Sequence, residues 1–170
     1  MGLEIERKFL PADDSWKRSA EGRTLYRQSY VPTENGVTFR IRRAGEKGFL
    51  TLKGLSRGTV RDEYEYPIPA SDADEMLEKF CLRPLVEKYR YRVFFEGWLW
   101  EIDEFLGENE GLVLAEIELD SPDSLFPHPP WLGREVTGIP SYYNSYLQAH
   151  PFRSWNREDD GAEKPQREEG

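Results

Sequence analysis

The sequence is poor in the residues that build disulfide frameworks and zinc sites. Its 170 residues include one cysteine, Cys81, and two histidines, His128 and His150. A single thiol excludes an intramolecular disulfide. The two histidines, which we expect at the surface, do not supply the clustered nitrogen and sulfur ligands that zinc prefers.

Long apolar runs and an excess of positive charge are also missing. No segment reaches the roughly 18 apolar residues that a membrane-spanning helix requires, and the N-terminus lacks the apolar stretch of a signal peptide. The net charge of −9 argues against a general nucleic-acid binder, because phosphate backbones favour a surplus of Lys and Arg. We therefore expect a cytoplasmic protein with no nucleic-acid or membrane partner.

The sequence does contain short β-like runs separated by Gly, Pro, Asn or Asp. Eight strands are predicted, over residues 3–10, 24–31, 37–44, 48–54, 61–68, 86–95, 98–105 and 112–119. Helices are few: one over 71–80 with Ser71 as its N-cap, a short one within 13–20, and a weak one after Pro140.

The length fits one domain. We assign residues 1–155 to it and expect residues 156–170, which have no apolar periodicity and are rich in charge, to be a disordered tail. The proline cluster PHPPWLG, residues 127–133, is interpreted as a rigid surface connection.

The opening stretch LEIERKFL, residues 3–10, carries a charge at every second position, so Glu4, Glu6 and Lys8 share one strand face. The same alternation recurs in the later strands. The charged faces together hold seven carboxylates and six cations: Glu4, Glu6, Glu63, Glu65, Asp103, Glu116 and Glu118, with Lys8, Arg40, Arg42, Lys53, Lys88 and Arg90.

An ordinary sheet with one solvated face explains any single strand of this kind, and cross-strand ion pairs explain part of the pattern. A solvated face normally mixes in more Ser, Thr and Gln. We therefore predict a mainly β (α+β) fold, an eight-stranded antiparallel closed barrel with a few flanking helices. Its charged faces would line a lumen wide enough for a small ligand, and helices or a partner subunit would cover the apolar faces. A membrane barrel shares this pattern, but Arg7, Arg27 and Asp62 on the outer faces disfavour it.

A lumen of this composition suits an anion bound together with metal. Carboxylates crowded into one cavity repel one another unless hard cations lie between them, and all-oxygen ligation fits Mg²⁺ or Mn²⁺. Clustered Arg and Lys suit several phosphates in a row. The sequence has no Gly-rich phosphate loop, so a P-loop protein is excluded.

EIERK, residues 4–8, resembles the acid-x-acid-x-lysine signature of the CYTH superfamily, also called triphosphate tunnel metalloenzymes, in its short bacterial type. The similarity continues in order through FRIRR, TLKG, RDEYEY, EKYRY, EIDEF, AEIEL and PPWLGREVTG, and so spans residues 3 to about 150. The resemblance implies an eight-stranded tunnel that binds triphosphate compounds with divalent metal. Members of the superfamily include inorganic, thiamine and RNA triphosphatases and class IV adenylate cyclases.

The resemblance also implies roles for individual residues. The residues expected to bind the phosphates are Lys8, Arg40, Arg42, Lys53, Lys88 and Arg90, with Tyr30 narrowing the tunnel. The residues expected to hold metal are Glu4, Glu6, Asp103, Glu116 and Glu118. The residues expected to act in catalysis are Lys8, Glu63, Glu65 and Lys88, the two acids by holding metal or positioning water.

We therefore expect metal-dependent hydrolysis of a triphosphate, foremost inorganic tripolyphosphate. Adenylate cyclase, thiamine or nucleoside triphosphatase, and a non-catalytic triphosphate or polyphosphate binder stay open as alternatives, as does a homodimeric state. One stretch departs from the family. Short bacterial members often have lysines around an asparagine in the C-terminal helix, whereas this chain reads YYNSYLQ, with Tyr143 and Ser145 flanking Asn144.

Overall fold

Nine strands and two α-helices make up the computed structural model, which describes residues 2–155. The strands are β1 (Leu3–Pro11), β2 (Ala20–Val31), β3 (Thr38–Ala44), β4 (Lys47–Lys53), β5 (Val60–Ile68), β6 (Val86–Phe95), β7 (Trp98–Phe105), β8 (Val113–Glu118) and β9 (Leu132–Glu135). The α-helices are α1 (Ala70–Lys79) and α2 (Asn144–Ala149). Short 3-10 helices span Ser15–Ser19, Gly107–Asn109, Pro140–Tyr142 and Phe152–Ser154. No helix within residues 2–155 is long and apolar enough to cross a membrane.

Strand β1 closes the barrel. The strands follow the order β5-β4-β3-β2-β6-β7-β8-β1, and β1 also pairs with β5, so the first and last strands of this order meet. Leu3 to Ile5 pair antiparallel with β5, and Glu6 to Phe9 pair antiparallel with β8. The eight predicted strands and their antiparallel closure are confirmed.

The apolar faces point outward and are covered by the protein's own chain. Helix α1 buries Ala73 and Leu77 against Ile41 of β3. The apolar faces of β1, β6, β7 and β8 pack against Trp16, against Phe126 and against Trp131 of the proline cluster. Burial of each large side chain of this kind contributes about 1.5–3 kcal/mol, so the covering segments contribute directly to the stability of the barrel.

The inner faces are charged along most of the barrel and apolar at one end. At that end Val86, Phe105 and Leu114, which are inward-facing by strand alternation, pack with Tyr142 and Leu147 from the C-terminal helices. These five residues, which we call the apolar plug, fill the interior there. The charged part of the lumen is therefore closed at one end.

Two local expectations were wrong, the start of helix α1 and the role of the proline cluster. Helix α1 begins at Ala70, one residue before the predicted N-cap Ser71, and the carbonyl of Pro69 accepts its first helical bond from Ala73. The short helix predicted within 13–20 is present as the 3-10 helix Ser15–Ser19.

The proline cluster is more than a surface connection. Strand β9, which was not predicted, begins at its end and pairs with the C-terminal part of β1. Only glycine fits at position 133, because a Cβ there would lie 2.3 Å from the carbonyl oxygen of Leu10. A four-residue strand beside three prolines has too short an alternation to be recognised.

Candidate active site

A cavity of about 540 Å³ occupies the charged part of the barrel. With one exception, Asp103, all the residues predicted for the site line this cavity: Glu4, Glu6, Lys8, Tyr30, Arg40, Arg42, Lys53, Glu63, Glu65, Lys88, Arg90, Glu116 and Glu118. They come from seven of the eight barrel strands. Strand alternation and antiparallel register are therefore sufficient to bring them together.

The register places carboxylates directly opposite one another across neighbouring strands. Glu6 of β1 faces Glu118 of β8, and Glu101 of β7 faces Glu116 of β8. Like charges in such pairs are destabilising. A positively charged ligand between the acids would relieve this repulsion, which is the first indication of a functional reason for the cluster.

Three acids have raised pKa values, chiefly because they are buried and in part because other carboxylates lie nearby. Burial, with the nearby charges of Glu116 and Glu4, raises the pKa of Glu6 to about 8. The pKa of Glu118 is raised by burial and by its acidic neighbours. Burial also raises the pKa of Glu4, although the ammonium of Lys53 lies 2.7 Å from its Oε1. We call Glu4, Glu6 and Glu118 the acidic cluster.

Six cations line the lumen, and two of them have lowered pKa values; we call the six the basic region: Lys8, Arg40, Arg42, Lys53, Lys88 and Arg90. Burial, together with Arg40 and Arg90, lowers the pKa of Arg42 to about 10. Burial, Arg90 and Arg42 lower the pKa of Lys88 to about 7, although Lys88 contacts a carboxylate. Charged Lys and Arg are disfavoured when they are buried together. An anion bound among them would reverse both shifts.

Arg40 has a buried donor without a partner. Its Nη2 lies 3.1 Å from the hydroxyl of Thr51 and 3.4 Å from Oε1 of Glu65. Its Nε is buried and, within residues 2–155, has no hydrogen-bond partner. A buried donor left unpaired costs about 1–3 kcal/mol, so a ligand oxygen reaching this nitrogen would be stabilising.

Asp103 lies behind the cations and does not border the cavity. Its Oδ1 accepts a hydrogen bond from Arg90 Nε at 2.7 Å, and its Oδ2 accepts from Lys88 Nζ at 2.7 Å and Arg90 Nη2 at 2.8 Å. Burial opposes ionisation, but Arg90 and Lys88 hold the pKa of Asp103 well below its usual range. This arrangement suits a residue that positions Lys88 and Arg90 better than the metal ligand predicted from the sequence.

Glu116 connects the acidic and basic parts of the lumen. It lies 3.7 Å from Lys8 and 3.8 Å from Arg90. Burial would raise its pKa, but these two cations outweigh burial and lower it to about 2. Glu116 is therefore a permanently charged carboxylate between the two regions.

The C-terminal segment contributes contacts that the sequence analysis did not assign. The Nζ of Lys8 lies 3.3 Å from the carbonyl oxygen of Tyr142. The side-chain oxygen of Asn144 accepts hydrogen bonds from Lys88 at 2.9 Å and Gln28 at 3.2 Å. Ser145 is exposed and borders the cavity.

Other unpredicted lining residues include Tyr26, Arg61 and Glu101. Arg61 and Glu101 follow the same alternation as the predicted residues on their strands and could have been found by extending it by two positions. Asn144 could not, because the C-terminal segment reaches the lumen only through tertiary packing.

Comparison with known proteins agrees with this geometry. A family model described as the CYTH domain matches residues 2–143. The chain belongs to the CYTH family. The inorganic triphosphatase of Acetivibrio thermocellus is 51% identical over 155 residues, covering 91% of this chain and 99% of that protein. The inorganic triphosphatase of Nitrosomonas europaea is 38% identical over 148 residues, covering 85% and 95%.

A solved structure described as an inorganic triphosphatase is also similar. It superposes with a TM-score of 0.60 at 36% identity, covering 85% of this chain and 97% of that one. The similarity therefore extends over nearly all of the described CYTH domain.

CYTH proteins use a divalent metal, and the acidic cluster provides suitable donors. Its ligands are all carboxylate oxygens, which Mg²⁺ and Mn²⁺ prefer. Burial and neighbouring acids raise the pKa of all three carboxyl groups, and a cation bound among them would stabilise their charged forms. The two histidines are exposed, as expected. Within residues 2–155, no three Asp, Glu, His or Cys side chains already converge on one point, so binding would draw the carboxylates together.

Proposed function

We propose that this CYTH protein hydrolyses inorganic tripolyphosphate with the help of a divalent cation. The observation that carries the proposal is that one cavity holds both an acidic cluster with raised pKa values and two cations, Arg42 and Lys88, with lowered ones. A polyanion bound together with a metal cation would neutralise both groups, because the metal balances the carboxylates and the anion balances the buried cations. The identity to curated inorganic triphosphatases supports the same substrate.

The basic region would hold the phosphate chain. Arg40 and Arg42 can offer forked donors to phosphate oxygens, while Lys8, Lys53 and Lys88 supply point charge. Arg90 is held at its Nε and Nη2 by Asp103, which fixes the orientation of its guanidinium. Tyr30, which is buried beside these residues, would narrow the lumen.

The acidic cluster, with Glu116, would hold the metal. A divalent cation bound there would supply charge neutralisation and activation of water. Glu63 and Glu65 line the same cavity and would position water for attack on the terminal phosphorus. Lys8 and Lys88 would stabilise the charge that develops on the transferred and leaving phosphates, because phosphoryl transfer depends mainly on positioning and electrostatic stabilisation.

Phosphate release tests this proposal. Purified protein is assayed with tripolyphosphate, ATP, thiamine triphosphate and longer polyphosphate, with Mg²⁺, with Mn²⁺ and with EDTA. We expect the highest kcat/KM for tripolyphosphate and no release in EDTA. Formation of cyclic AMP from ATP would favour the cyclase alternative, and tight binding without release from any substrate would favour a non-catalytic binder. The preferred metal, a homodimeric state and a cytoplasmic location stay predictions.

Replacing Arg40 or Arg42 with Lys should lower kcat/KM for tripolyphosphate about 10- to 100-fold. This range corresponds to the loss of one charge-assisted hydrogen bond, which contributes about 1.5–3 kcal/mol. Charge is retained, but the forked donor is lost. The matched control is Arg27→Lys, because Arg27 lies on the outer face of β2 and its side chain is partly exposed. Steady-state kinetics of the three variants decide the question, and equal kcat/KM values would show that neither arginine binds phosphate.

Replacing Ser145 with Lys should lower KM for tripolyphosphate by about two- to fivefold, because an exposed charge contributes typically under about 1 kcal/mol. Ser145 borders the cavity, so the added ammonium would face the anion. The effect should weaken when the salt concentration rises. Ala149→Lys, at an exposed position of the same helix that does not border the cavity, is the control. Identical KM values for the two variants at low salt would contradict the placement of Ser145 at the site.

A further inference from the structure

The ring of Tyr26 lies among three cations of the basic region. Its centroid is 4.8 Å from the guanidinium carbon of Arg42, 5.0 Å from that of Arg90 and 5.9 Å from the ammonium of Lys88. All three distances fall within the roughly 6 Å range of cation–π attraction. Tyr26 also borders the cavity.

Sheet register produces this arrangement. Tyr26 of β2 is directly opposite Lys88 of β6, and Arg90, two residues further along β6, points to the same face. On the other side of β2, Arg42 of β3 is opposite Gln28, two residues from Tyr26. Diagonal neighbours of this kind are within reach of long and aromatic side chains.

Arg42 depends on this ring more than the other two cations do. Lys88 and Arg90 share the carboxylate of Asp103. Within residues 2–155, no carboxylate lies within 4.0 Å of Arg42, whose contacts are Gln28 Oε1 at 3.1 Å and the face of Tyr26. An aromatic face attracts a cation but carries no net charge, so it holds Arg42 without neutralising the charge that an anion requires.

We propose that Tyr26 is a positioning residue that holds Arg42, Arg90 and Lys88 around the phosphate chain through its ring face. The proposal rests on the proposed function, since it assumes that these cations bind the phosphates. The phenolic hydroxyl has no part in it. The ring takes the place of a second carboxylate beside Asp103, and so keeps the basic region positively charged.

Kinetics of two variants test the proposal in the full chain. Tyr26→Phe keeps the ring and should retain kcat/KM for tripolyphosphate within about twofold. Tyr26→Leu removes the ring and should lower kcat/KM about tenfold, equivalent to about 1.4 kcal/mol, with KM raised more than kcat is lowered. Phe49→Leu is the matched control, because Phe49 also borders the cavity but, within residues 2–155, has no Lys or Arg over its ring. Its kcat/KM should fall less than threefold.

A second measurement separates this proposal from the proposed function. Urea unfolding of the ligand-free protein is compared for wild type, Tyr26→Leu, Arg42→Gln and the double variant. The loss of stability caused by Tyr26→Leu should be smaller when Arg42 is already Gln. This coupling between Tyr26 and Arg42 is measured without substrate, so it does not depend on the proposed function. If tripolyphosphate is not the substrate, the wild-type protein will release no phosphate from it.

Three results would overturn the positioning role. The first is additive unfolding energies in the double-variant comparison, since the ring would then not act on Arg42. The second is a kcat/KM for Tyr26→Phe as low as that of Tyr26→Leu, which would assign the effect to the hydroxyl. The third is equal losses for Tyr26→Leu and Phe49→Leu, which would assign it to cavity shape.

Discussion

Replacing Glu6 or Glu118 with Gln is expected to abolish metal-dependent turnover while leaving the barrel folded. Mutation of residues that only hydrogen-bond to metal ligands typically lowers metal affinity or activity about 10- to 100-fold. Loss of a charged ligand itself should therefore lower kcat at least about 100-fold. Gln keeps the shape and removes only the charge that a cation needs. Phosphate release at saturating Mg²⁺ and Mn²⁺ is the measurement. Glu108→Gln, at an exposed position outside the barrel lumen, is the control.

The same variants should be at least as stable as wild type without metal. The folded-state pKa of Glu6 is raised to about 8 from an ordinary value of 4.5. Between these pH values the folded protein binds more protons than the unfolded chain, so stability falls as pH rises through this window. Glu6→Gln should reduce that fall. A lower melting temperature with activity retained would instead identify Glu6 as a structural ion-pair partner.

Replacing Asp103 with Asn is expected to destabilise the protein by about 3–5 kcal/mol, the usual cost of breaking a buried ion pair. The change leaves Lys88 and Arg90 buried without their shared counter-charge. Urea unfolding measures the loss, and Glu104→Gln on the outward face of the same strand is the control. Tripolyphosphate should partly restore stability, because its charge replaces that of Asp103.

The alternative role of Asp103 predicts a different pattern. If Asp103 were a metal ligand without structural partners, Asp103→Asn would lower the metal-dependent activity of the protein. The free energy of unfolding without metal would then stay the same. That outcome would return Asp103 to the metal site expected from the sequence. The bidentate contact with Arg90 and the short contact with Lys88 are the reasons to expect the stability loss.

The sequence was sufficient to predict the barrel and most of its lining because both depend on a period of two. Glu4, Glu6 and Lys8 define the inward face of β1, and the same rule assigns each later strand. Alternation reports the face of a side chain but not its depth or its partner. It therefore grouped Asp103 with Glu116, although one is enclosed by two cations and the other borders the cavity.

Features that depend on tertiary packing were missed. The C-terminal segment brings Asn144 to Lys88 across 56 positions of sequence, and no local pattern encodes that contact. The contacts of the Tyr26 ring were missed for the same reason, because they come from residues on the two strands that flank β2. The tail predicted over residues 156–170 lies outside the residues that the structure describes.

The most direct test of the charged cavity is to locate metal and phosphate in the same crystal. Crystals grown with Mn²⁺ and a non-hydrolysable tripolyphosphate analogue would give anomalous scattering from the metal and density for the phosphate chain. We predict Mn²⁺ among Glu4, Glu6 and Glu118, and phosphates contacting Arg40, Arg42 and Lys88. Metal bound only outside the barrel, or a cavity that admits neither ligand at saturating concentrations, would contradict the account.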